Sequence, residues 1–156
     1  MEDSKPKSIE ELFRSQLGVE NPKGLSPFGN WLGGVLTYYE KGKLEKEYKV
    51  RHEMTNALGT LHGGAIASIL DEIIGATLIS LEYTHLKTTV NLVVDYFYPA
   101  YENQVLLARG MMIKEGKKIS HLQGELYLKE NGKLIARAIT NMFTTDIPVN
   151  LDSLRD

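Results

Sequence analysis

The chain has 156 residues, enough for a single domain with a proper core, and its 42% hydrophobic and 24% charged residues are ordinary for a soluble globular protein. A net charge of −2 gives no electrostatic ground for binding nucleic acid. The chain has no cysteine, which excludes disulfides, thiol nucleophiles and thiolate metal sites together.

The opening MEDSKPKSIEE is charged and has no apolar core region, and no later apolar run reaches spanning length. The expectation is therefore a cytoplasmic protein without a signal peptide or membrane segment. Ser8 with Glu11 has the spacing of a capping box, and Ile9, Leu12, Phe13 and Leu17 then form the apolar stripe of a short helix ending at Gly18. Residues 20–30, with Pro22, Gly24, Pro27 and Gly29, read as a loop. Leu25, Phe28, Trp31 and Leu32 pack on the sheet in the default reading; the alternative is that they cover a pocket mouth. Residues 1–33 thus form an N-terminal helix and loop, 34–147 the main domain, and 148–156 a polar tail that is expected to be loosely held.

From Gly34 the pattern becomes strand-like, and residues 35–40 and 44–50 flank Lys41-Gly42-Lys43 as a hairpin. The stretch Asn56 to Leu81, NALGTLHGGAIASILDEIIGATLISL, organises the rest. Ile66, Ile69, Leu70, Ile73 and Thr77 share one helical stripe, while Gly64, Ser68 and Gly75 lie opposite with Asp71 among them. A helix apolar on one face and small on the other is expected to be covered on both sides, which would bury Asp71. A buried carboxylate needs a partner, a raised pKa or a chemical task. The plain alternative is a hydrogen-bonded structural group, since perturbed carboxylates also occur in structural networks. Glu72 points about a hundred degrees away.

The His62-Gly63-Gly64 step puts bare backbone at the helix start, where the first N–H groups have no internal partner and suit an anion or a polarised carbonyl oxygen. A simple turn before a helix is the competing explanation. Strands are then expected at 88–96, 104–114, 119–128 and 134–145, the last two joined through short turns at 115–118 and 130–133. The order is helix, two strands, a long helix and four strands. That implies an α+β fold with an antiparallel sheet wrapped round a helix.

With Asn56, His62-Gly63-Gly64 and Asp71 in that order, the sequence resembles the hotdog-fold thioesterases, specifically the PaaI-like acyl-CoA thioesterases. The resemblance spans residues 34–145; it is most specific in NALGTLHGG and the following aspartate, weaker in TTVNLVVDYFYPA, and only a strand pattern in GKLIARA. It implies that Asn56 helps to hold water or the thioester and that the Gly63 N–H faces the thioester carbonyl. It further implies that Asp71 is general base or nucleophile and that Thr89, where relatives carry Ser or Thr, helps to place the water. His62 belongs to the motif as an orienting residue. The substrate handle would be coenzyme A, entering as part of the substrate, with no separate cofactor and no metal. Candidates to hold it are Lys114, Lys117 and Lys118 around one turn, and the segment 96–101 that includes Tyr96 and Pro99; lysines beside a turn are more often merely solvated. The resemblance also implies dimers assembled into tetramers.

Gly63 and Asp71 are eight residues apart, about 12 Å along one helix, whereas a general base must reach to within about 3 Å of its proton. Two helices running antiparallel about a two-fold axis would bring one start to the other's middle. Composite sites in a homodimer follow. Two other classes stay open: a hotdog dehydratase or hydratase using His62 with Asp71, and a non-catalytic acyl-CoA-binding hotdog protein.

Overall fold

The computed structural model describes residue 6, residues 8–20 and 22–150, and residue 154. Most of the charged opening stretch, and most of the tail expected after Pro148, lie outside the described residues. Helix α1 (Ile9–Ser15) begins where the capping box places it, with the Ser8 hydroxyl accepting from the Glu11 N–H at 3.1 Å. Ile9, Leu12 and Phe13 are buried, and Phe13 stacks on Tyr39 at 5.3 Å between ring centroids, but the helix stops at Ser15, short of Gly18, and leaves Leu17 outside it and exposed.

Residues 20–30 are not loop throughout. A six-residue helix, α2 (Pro27–Leu32), starts there with Ser26 as N-cap and Pro27 in its first turn. Serine before proline is a start signal, but Gly29 and Asn30 obscure it and a helix this short carries no periodicity. Arg51 ties down the far end, donating to the carbonyls of Trp31 at 2.7 Å and Leu32 at 2.8 Å. These are carbonyls that the helix leaves without partners.

Strands β1 (Val35–Glu40) and β2 (Lys43–Lys49) form the expected hairpin, with Gly42 at φ +82°, a conformation suited to glycine. A short 3₁₀ turn at His52–Met54 leads towards α3 (Gly63–Ile79). Then come β3 (His85–Tyr96), β4 (Val105–Lys114), β5 (Ile119–Leu128) and β6 (Lys133–Pro148). The six strands make one sheet in the order β1-β2-β4-β5-β6-β3, with every neighbouring pair antiparallel. β6 runs to Pro148, slightly beyond the expected strand, and the Val149 N–H donates to the Thr84 carbonyl at 2.9 Å.

Along β4, β5 and β6 every second residue, such as Leu106, Ala108, Leu122, Leu126, Ala136 and Ala138, is buried against α3. The helix answers with Ile66, Ile69, Leu70, Ile73, Ile74 and Thr77, all buried. Gly110 on β4 permits the closest approach: a Cβ there would overlap the Thr77 hydroxyl and lie 2.8 Å from the Ile73 carbonyl oxygen. Thr77 satisfies its own hydroxyl by donating to that same carbonyl at 2.7 Å. At the C-terminal end, Ser80 Oγ donates to the Thr77 carbonyl and accepts from the Gly42 N–H, locking the helix to the first hairpin.

One expectation about this helix fails. The small-residue face is not covered within the chain: Gly64 and Asp71 are exposed, and Ser68 and Gly75 are only partly buried. The sheet wraps one side of α3, and small side chains on the other present too little apolar area to draw any element of the same chain over them. Asp71 therefore lines an open groove rather than lying in the core. No helix among the described residues is long and apolar enough to cross a membrane.

Candidate active site

The helix start is built as the His-Gly-Gly step suggests. His62 is the N-cap of α3, its Nδ1 accepting from the Gly64 N–H at 2.9 Å. Gly64 leaves this cap uncrowded, since a Cβ there would sit 3.0 Å from Nδ1 and 3.3 Å from Cε1 of the same ring and would press on the imidazole. Gly63 occupies the first helical position, and its N–H has no acceptor among the described residues. Tyr96 closes one side: its hydroxyl donates to the Gly63 carbonyl at 3.2 Å. The resemblance puts Tyr96 among the coenzyme A contacts; the structure sets it against the helix start.

Asn56 precedes this step in a tight turn. Its Oδ1 accepts from the Leu58 N–H at 2.9 Å and the Thr60 N–H at 3.2 Å, and its Nδ2 donates to the Thr60 hydroxyl at 2.8 Å. One Nδ2 hydrogen is left for another acceptor. Sequence spacing puts Asn56 near the site but does not show that it also ties its own turn.

Two turns further along α3, Asp71 shares a groove of about 320 Å³ with Thr89, Leu92, Ala67, Ser68 and Phe28. Among the described residues its carboxylate makes no hydrogen bond or ion pair. Although the residue is exposed, the surrounding walls partly desolvate the carboxyl and raise its pKa above the ordinary value. Thr89 comes from β3, its hydroxyl pointing at Met142 Sδ at 3.4 Å and retaining lone pairs for a water. The structure thus brings Asp71 and Thr89 to one groove and His62 with Gly63 to the helix start, while Asn56 is held in its own turn six residues before His62.

Glu72 turns to the other side, beneath α2, where burial raises its carboxyl while nearby Lys46 opposes that shift. Burial in turn lowers the Lys46 ammonium. Gly29 of α2 rests directly on the Glu72 carboxylate, leaving no room for a Cβ. Lys114, Lys117 and Lys118 are exposed around the β4–β5 turn, Lys118 lying 3.4 Å from Asp146, and Pro99 is exposed beside buried Ala100. None of these lines the Asp71 groove. Phe28 does line it, although the stretch that carries Phe28 reads in sequence as loop.

The family model of the thioesterase superfamily matches residues 58–135, which include His62, Gly63, Asp71 and Thr89. Human acyl-coenzyme A thioesterase 13 is 31% identical over 135 residues, covering 86% of this chain and 92% of its own. The chain belongs to the thioesterase superfamily. Zebra fish thioesterase superfamily member 2 superposes with a TM-score of 0.73 at 24% identity, covering 90% of this chain and 99% of that one. A Streptococcus pneumoniae hypothetical thioesterase, solved with coenzyme A, superposes with a TM-score of 0.68 at 23% identity, covering 72% of this chain and 86% of that one. The hotdog fold and the PaaI-like character expected from NALGTLHGG are therefore those of this thioesterase, which is a thioester hydrolase.

Proposed function

We propose that this thioesterase hydrolyses acyl-coenzyme A, using sites shared between two copies of the chain. The observation that carries this reading is the separation on α3: the free Gly63 N–H and the Asp71 carboxylate lie on one helix about 12 Å apart, too far to serve one thioester. The helix face between them carries only small residues, exposed Gly64 and partly buried Ala67 and Ser68, which lets a second helix come close. Antiparallel packing that sets residue 63 against residue 71 of the second copy places residue 67 on the two-fold axis. β3, the edge strand beside this face, offers an unpaired rim with Val90 and Val93 exposed. Ile113, Ile139 and Phe143, exposed on the outer sheet face, support further pairing of such dimers.

In this reading the Gly63 N–H of one copy polarises the thioester carbonyl, as an N–H at a helix start does for developing negative charge. Asp71 of the other copy, with Thr89 beside it, takes a proton from water, whose oxygen attacks the carbonyl carbon. The C–S bond breaks, the proton passes to the leaving thiolate, and a carboxylic acid and free coenzyme A result. The spare Nδ2 hydrogen of Asn56 can hold the substrate oxygen or the water. Direct attack by Asp71, through an anhydride, uses the same placement.

Mixing two inactive variants tests the shared site. Asp71→Asn and Gly63→Pro chains, unfolded together and refolded, give hybrid dimers with one intact site of two. Thiol release should recover to about a quarter of wild type if pairing is random. Sites confined to one chain would stay silent in the mixture.

A further inference from the structure

Helix α2 is held more firmly than a six-residue helix on the surface requires. Arg51 bonds two of its terminal carbonyls, Ser26 caps its start by accepting from the Gly29 N–H at 2.8 Å, and Gly29 rests on Glu72. What this anchoring presents to solvent is a pair of aromatic rings. Phe28 and Trp31 are stacked at 5.9 Å with 16° between planes, yet they are 52% and 49% exposed. The Arg51 guanidinium lies over the Trp31 ring at 5.3 Å from its centroid, a cation–π contact that helps to hold the indole in place.

These rings border the reaction site. Phe28 lines the Asp71 and Thr89 groove and also a second groove of about 310 Å³, whose walls include Trp31, Met54, Ala65 and His62. The two grooves share Phe28 and Ser68, so they adjoin across the open face of α3. Phe28, Trp31, Met54 and Ala65, which the hydrolytic step itself does not use, line the second groove beside the polar Glu53 and Thr55. A thioester placed at Asp71 has two arms, a polar pantetheine and an acyl chain, and only the acyl chain gains by leaving water for such a wall.

We propose that the Phe28–Trp31 pair is the acyl-chain wall of this thioesterase and makes it prefer acyl groups long enough to reach the indole over acetyl. This rests on the acyl-thioester reading above and adds the element that selects among acyl groups. The anchoring by Arg51 then has a purpose: a wall held in place before binding spares the cost of ordering it on the substrate.

Trp31 is the only tryptophan in the chain, so its fluorescence reports on this wall without labelling. Asp71→Asn protein, which should bind without turnover, is titrated with coenzyme A, acetyl-CoA and decanoyl-CoA, and binding is followed in parallel by calorimetry. A saturable blue shift of Trp31 emission is expected with decanoyl-CoA and not with the other two. Adding Phe28→Ala should weaken decanoyl-CoA about tenfold relative to coenzyme A, the worth of roughly two methylenes losing an apolar partner. Decanoyl-CoA that binds with Trp31 unmoved, that binds no better than coenzyme A, or that does not bind at all would overturn the proposal. A Trp31 response to the chain, with no thiol released by wild type, would instead sustain the wall and sink the hydrolase reading.

Discussion

Replacing Asp71 with asparagine separates a chemical carboxylate from a structural one. Asp71 makes no hydrogen bond or ion pair among the described residues, and its pKa is raised by desolvation alone. The isosteric amide therefore loses no partner in the fold, and it escapes the penalty that the ionised carboxylate bears in the groove at neutral pH. Thermal stability at pH 7 should be equal to wild type or slightly higher. Activity should behave oppositely: removing a positioned general base lowers the rate by about 10²- to 10⁴-fold, or about 2.7–5.4 kcal/mol of barrier. The assay pairs thiol release from a panel of acyl-CoAs with a melting curve on the same preparation. Loss of activity in step with loss of melting temperature would return Asp71 to the structural class. A folded variant keeping a tenth or more of wild-type turnover would remove it from the mechanism.

The other expectations concern pH, the helix start and the core. Because the ionised Asp71 is the base and burial raises its pKa, kcat/KM should fall on acidification with its midpoint above the ordinary carboxylate value near 4; a pH profile with no limb in that region would contradict the assignment. The raised pKa acts on stability in the opposite sense: its contribution is fully present below the unfolded pKa and is lost as pH rises through the folded one, and Asp71→Asn should flatten that part of a stability-versus-pH curve. Gly63→Pro removes the N–H at the first helical position, where proline is tolerated and His62 already has extended dihedrals, so circular dichroism should be unchanged while kcat drops about 10²- to 10³-fold. Gly110→Ala forces a methyl into the Ile73 carbonyl and the Thr77 hydroxyl and should cost about 1–3 kcal/mol in a urea melt, read as overpacking where α3 meets the sheet.

Much of the fold is legible along the chain because its signals are local. The capping box at Ser8, the glycine turn at Gly42, the alternation of β4 to β6 and the aliphatic stripe of α3 each express a backbone period that neighbouring residues set by themselves. So does the helix start at His62, where an imidazole and two glycines make a cap within three residues. The glycine and aspartate of the candidate site can be found from NALGTLHGG and the helix it opens, because they lie at fixed spacing on one element, whereas Thr89, on β3, enters only through the family resemblance.

Other features are decided by packing between distant segments. That Tyr96 closes over Gly63, and that Phe28 reaches the Asp71 groove from a helix hidden among prolines and glycines, depends on contacts across more than thirty residues of chain. The exposure of Asp71 shows the difference most directly. Composition makes the helix look fit for burial on both faces, because glycine, serine and alanine look interior in a linear pattern. A single sheet has only one concave side to offer a helix, and it takes the aliphatic stripe, whose apolar area gains most by leaving water. Residue order puts the carboxylate on the small face of α3, and that face is left open because the sheet covers the aliphatic side.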